Sequence, residues 1–126
     1  MQFRFAQLVG LYRLVVSEEL LAFVERTFVA PAAEAERAAI RAEALEEAAA
    51  AELVIEPDGT IISRAGAAEF YRIRLDAGEG DVAAVRFDKA PGQSVTLRLL
   101  DPDTLLAVQP GKPNAVFTRV LGWRLP

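Results

Sequence analysis

A chain of 126 residues is the length of one domain, enough to bury roughly two-thirds of the surface its unfolded form exposes. It contains no cysteine and no histidine, which excludes disulfides, thiolate nucleophiles, zinc centres with sulfur or imidazole ligands and histidine acid–base catalysis. The formal charge of −4 comes with dispersed cations and no basic stripe, so no nucleic-acid surface is expected, because phosphate binding needs grouped cations that displace counterions.

Residues 1–16 hold the first predicted strand. Its centre, LVGLYRLVV from Leu8 to Val16, is apolar on both alternating faces, which suits a strand with one face in a core and the other under a helix. Leu8, Leu11, Tyr12 and Val15 also fit a helical spacing, but Gly10 weakens a helix interior and the valines favour a sheet. No uncharged apolar run nears the roughly 18 residues of a membrane span. As a secretion signal the opening fails, since Arg13 interrupts it and Glu18 and Glu19 follow with no small-residue cleavage site. A cytoplasmic location is expected unless a native leader precedes this sequence.

Residues 17–51 read as helical, being rich in alanine, without glycine and with Pro31 as their one proline. Ser17 suits a cap, Glu18 and Glu19 suit the positive end of a helix dipole, and Leu20, Val24 and Phe28, with Phe23, form a stripe that needs a surface to cover. Pro31 suits the first turn of a second helix reaching about Ala51. Its only large apolar residues are Ile40 and Leu45, so it belongs on the outside of the molecule.

From residue 52 to 120, turn signals recur: EPDG, RAGA, DAGEG, KAPG, DPDT and PGKPN. This spacing predicts short antiparallel strands. Between the turns, Tyr71, Ile73 and Leu75 alternate with Arg72, Arg74 and Asp76; Val85 and Phe87 with Arg86 and Asp88; Val95, Leu97 and Leu99 with Thr96 and Arg98. Period two places one set inward and the other in water. The inward set also takes in Tyr12, Leu14, Val108 and Phe117. The four arginines Arg72, Arg74, Arg86 and Arg98 then share an outer, solvated face. In the tail, residues 121–126, Trp123 reads as a plug against the barrel end or the helices.

Gly10-Leu11-Tyr12 on the first strand, the helical insertion, LVIEPDGTI, FYRIRL, DTLLAV and the final Val116-Phe117-Thr118-Arg119-Val120 together resemble the small bacterial lipocalin-like proteins of the calycin group. The resemblance implies a mainly β fold, an antiparallel up-and-down barrel or strongly curved sheet of about eight short strands, with the α-helical insertion after the first strand. It also implies one lipocalin-like domain over 1–126. In that group a first-strand Gly-x-Trp and a last-strand arginine close the barrel floor; here Tyr12 stands for the tryptophan and Arg119 for the arginine. A guanidinium over an aromatic face gains about 0.5–2 kcal/mol.

The function the resemblance implies is non-catalytic binding of a small apolar ligand, with no cofactor and no metal. Tyr12, Tyr71, Phe87 and Phe117 are the expected wall of a pocket, should the inward side chains leave one, since aromatic lining with few polar groups marks such sites. The alternative is a fully packed barrel that serves as an interaction module, a homodimer among its forms. Two further motifs have simpler readings. Gly78–Ala83, GEGDVA, fits G-x-G-x-x-A but is followed by strand-like alternation instead of a helix. Asp101 and Asp103 flank Pro102 and read as turn formers, not as metal ligands.

Overall fold

The computed structural model of the protein describes residues 3–75, 81–82 and 84–122. Two short pieces come first, strand β1 (Phe3–Arg4) and the one-turn helix α1 (Phe5–Leu8). Strand β2 (Gly10–Leu14) follows. The helical segment comprises α2 (Glu18–Val24), a π-helical turn (Glu25–Val29), a 3₁₀ turn (Glu34–Glu36) and α3 (Arg37–Ala50). Then come β3 (Ala51–Ile55), β4 (Thr60–Ala65), β5 (Ala68–Arg74), β6 (Asp81–Val82), β7 (Ala84–Ala90), β8 (Gln93–Asp101), β9 (Thr104–Val108) and β10 (Ala115–Arg119). The opening sixteen residues are therefore not one strand: a two-residue strand and a helical turn precede β2, and only Gly10–Leu14 enter the large sheet.

Eight strands form one antiparallel sheet in the order β5-β4-β3-β2-β10-β9-β8-β7. Each is bonded to its neighbour in sequence except at one place, where β2 meets β10. There Tyr12 lies opposite Arg119 and Leu14 opposite Phe117. The outer strands β5 and β7 approach each other, and the Tyr71 and Phe87 rings bridge them with centroids 5.8 Å apart. The sheet is a nearly closed up-and-down barrel. A two-stranded ladder of β1 with β6 sets Phe3 opposite Val82.

Alternation fills the barrel from every side. Tyr12, Leu53, Ile55, Ile61, Phe87, Val95, Leu97, Leu99, Leu105 and Ala107 form the buried interior, with Tyr71, Ile73, Val85 and Phe117 packed against them. A second, smaller apolar layer lies on the outer face of the same strands, where Leu11, Val54 and Ile62 are buried with Val120 beside them. Helix α3 packs across β2 and β4 there, and its partly buried positions Ile40, Ala44, Leu45 and Ala48 repeat at helical spacing. This explains why β2, β3 and β4 are apolar on both faces. Val108 is an exception to the expected inward set. In β9 the buried residues are Leu105 and Ala107, so the opposite parity leaves Val108 exposed.

The helical segment begins as its sequence predicts, with the Ser17 side chain accepting from the Leu20 amide at 3.1 Å. It then changes phase. The π turn, closed by Ala30 N–H donating to the Glu25 carbonyl at 2.8 Å, adds a residue to the repeat. Val24 and Val29 are buried, while Phe28 is 51% exposed; the predicted stripe through Phe28 is replaced by one that steps five residues. Phe28 instead meets Phe23 edge-on, at 6.1 Å. Pro31 lies in the turn that follows and does not open α3, which starts at Arg37. The Arg37 guanidinium donates to the Ala30 and Ala32 carbonyls, both at 3.0 Å, capping the end of the preceding helix.

Candidate functional site

The two ends of the barrel differ. At one end, strand β2 enters through Gly10, and three chain regions meet on Arg119. Its Nη1 donates to the Val9 carbonyl and Nη2 to the Gln7 carbonyl, each at 2.6 Å, and its Nε donates to the Pro102 carbonyl at 2.9 Å. The guanidinium carbon sits 4.8 Å from the centre of the Tyr12 ring. The Tyr12 hydroxyl donates to the Leu8 carbonyl at 2.7 Å. Gly10 is required by this approach, because a Cβ at its position would lie 2.6 Å from Arg119 Nη1. Burial drives the Tyr12 phenol up to about 12, against a downward pull from Arg119. All three guanidinium nitrogens are spent on backbone carbonyls and the ring face is covered, so Arg119 and Tyr12 form a structural clamp.

The adjacent β8–β9 turn is held the same way. The Asp101 carboxylate accepts from the Asp103 amide at 2.8 Å, and the Asp103 carbonyl accepts from the Arg119 amide at 2.8 Å. The turn amides hold Asp101 below the usual carboxylate range. Among the described residues no group of three acids converges as a metal site would need.

The opposite end is open. A cavity of about 430 Å³ lies between the starts of β3, β5, β8 and β10 and the ends of β4, β7 and β9. That volume is at the smaller end of the roughly 300–1,000 Å³ typical of ligand pockets. Its deeper wall is apolar, formed by Leu53, Leu97, Ala107 and Phe117; its rim carries Lys89, Gln93, Gln109 and Lys112. Burial raises the Tyr71 phenol, opposed by a hydrogen bond with Ser63, and both residues line the cavity.

Two β-bulges shape this mouth. Ser63 pairs with Tyr71 and Arg64 with Glu69, which leaves Phe70 as the extra residue of β5. Asp88 pairs with Ser94 and Ala90 with Gln93, which leaves Lys89 extra in β7. A bulge re-aims side chains that strict alternation would send outward. Here consecutive residues, Phe70 with Tyr71 and Lys89 with Ala90, all line the cavity.

Of the four residues expected as pocket wall, Tyr71 and Phe117 line the cavity. Tyr12 and Phe87 do not: Tyr12 is fully buried in the clamp at the closed end, and Phe87 is buried in the packed layer where its ring meets Tyr71. Phe70 and the four polar rim residues escaped the sequence reading. A signal for the rim existed: the KAPG and PGKPN turns carry the chain's only two lysines, and in an up-and-down barrel alternate turns fall at the same end. The outer arginines Arg72, Arg74, Arg86 and Arg98 are all exposed, with Arg72 paired to Glu69 at 2.9 Å. Trp123, Asp76 and the glycines of GEGDVA lie outside the described residues; Asp81 and Val82 of that motif form β6. No helix among the described residues is long and apolar enough to cross a membrane.

Comparison of the chain with protein-family models, with curated proteins and with solved structures gave no match.

Proposed function

We propose that the protein is a non-catalytic binding protein that holds a small apolar molecule in the open end of its barrel. The observation that carries this reading is the cavity of about 430 Å³, whose aliphatic and aromatic deeper wall is topped by a polar rim at the mouth of an otherwise packed interior. A fully packed barrel would have buried these surfaces against one another. The eight-stranded, nearly closed antiparallel sheet is compatible with a lipocalin-like fold, and the contact of Arg119 with Gly10 and Tyr12 supports that reading. A barrel of eight strands is just wide enough to hold one small ligand.

The test is titration with the neutral fluorophore N-phenyl-1-naphthylamine. One probe bound per chain, with an affinity that falls at least tenfold in Ala115→Trp while the melting temperature holds, is the expected result, because Ala115 lines the cavity. A chain that leaves the probe dark, or an Ala115→Trp variant that binds it as well as the parent, overturns the proposal.

A further inference from the structure

Beside the main cavity lies a smaller recess of about 120 Å³. Lys89, Gln93, Gln109 and Lys112 line both spaces, so they form the boundary between the two. The bulge in β7 is what turns Lys89 to this position. Its ammonium donates to Gln109 Oε1 at 2.7 Å, which fixes it over the boundary. Lys112 comes from the β9–β10 loop, where its amide donates to the Gln109 carbonyl at 3.2 Å.

The two ammonium groups feel each other. Burial and then the neighbouring Lys112 lower Lys89 below its ordinary 10.5. Among the described residues neither lysine has a carboxylate within 4.0 Å, as is also true of Arg26, Arg37, Arg74, Arg86 and Arg98; the lysines differ in sharing the lip of the cavity. In a chain with net charge −4, two adjacent cations without an acid, at the lip of an apolar cavity and flanked by two amides, form a receptor for a negative group. Charge-assisted hydrogen bonds from ammonium donors are the strong kind, and an anion between the lysines would relieve their repulsion.

We propose that this lysine pair holds the anionic head group of a single-chain amphiphile, a carboxylate or a phosphate, whose tail runs into the cavity between Leu53, Leu97 and Phe117. The assignment rests on the reading of the cavity as a ligand site. Gln93 and Gln109 supply amide donors to the head group's remaining oxygens. A neutral amphiphile with the same tail would keep the apolar contacts and lose the clamp.

The experiment is competition against bound N-phenyl-1-naphthylamine at neutral pH, with dodecanoate, dodecyl phosphate and 1-dodecanol, on the parent chain and on the double variant Lys89→Gln/Lys112→Gln. The expected result is displacement by at least one anion at a concentration tenfold or more below that of the alcohol. In the double variant the gap should shrink to twofold or less, each competitor being scored against that variant's own affinity for the probe. The ratio between the two anions then names the head group. Probe binding with no preference for either anion over the alcohol overturns the head-group assignment alone, as does a preference that survives in the double variant. Failure of the parent chain to bind the probe overturns both this assignment and the ligand site beneath it.

Discussion

Arg119 is the residue on which the fold's closure depends most. Its three nitrogens tie β10 to the segment before β2 and to the β8–β9 turn, and its plane covers the Tyr12 ring. A lysine has the charge but not the planar fork. Arg119→Lys should therefore cost about 2–3 kcal/mol, read as a fall in Tm of roughly 8–12 °C by thermal denaturation. A fall as small as that of an exposed surface substitution would contradict the clamp. Tyr12 gives a second handle through pH. Its phenol ionises from an ordinary 10 when unfolded, and only near about 12 when folded, chiefly because it is buried. The stability this contributes is complete below pH 10 and is lost as the pH rises from 10 through 12, because there the unfolded chain has released a proton that the folded chain keeps. The whole effect is at most about 3 kcal/mol. Tyr12→Phe, which cannot ionise, should lose less Tm than the parent between about pH 9.5 and pH 11.5; parallel declines would show that the phenol is not buried as described.

At the scale of elements, period-two patterns in YRIRL, VRF and VTLRL made the strands legible, because each has one face in the core and one in water. Legibility ended where a residue is added to a repeat. The bulges that expose Phe70 and Lys89 to the cavity shift parity within a strand, and no residue type marks them. The π turn does the same to a helix: it moves the buried position from Phe28 to Val29, although phenylalanine is the larger apolar group. The two side chains can be told apart. Val29→Ala should lower stability by about 1–2 kcal/mol, as deletion of two buried carbons does, whereas Phe28→Ala, which gives up chiefly the edge-on contact of a half-exposed ring with Phe23, should cost less, about 0.5–1 kcal/mol. Denaturant unfolding midpoints would measure both. The reverse order would mean that the segment continues as a regular α-helix with Phe28 inward. The start of α3 was misjudged for a related reason: Pro31 suits a helix opening, but the carbonyls left by the π turn are taken up by Arg37, and α3 begins only there.

At the scale of the whole molecule, the pairing of β2 with β10 makes one end of the barrel tight and leaves the other to its loops. Gly10, Tyr12 and Arg119 at the closed end were singled out in the sequence only through a family resemblance, and in the structure they meet. Of the open end only Tyr71 and Phe117 were read from the sequence, because its rim is assembled from hairpin ends far apart in the chain: Lys89 and Gln109 are 20 residues apart and meet at 2.7 Å. On the proposed function, packing separates stability from binding: substitutions around Tyr12 and Arg119 should act on the melting temperature, and those around Lys89 and Phe117 on the affinity for a ligand.

The division between the two ends is tested most directly by nuclear magnetic resonance of the isotopically labelled chain during titration with dodecanoate. Amide shifts should move at Ser63, Lys89, Leu97, Gln109 and Phe117, around the open mouth, and stay fixed at Leu8, Gly10 and Asp103. Shifts that cluster on the helical segment or at the Arg119 clamp, or a spectrum that does not move, would contradict a ligand site in the barrel's open end.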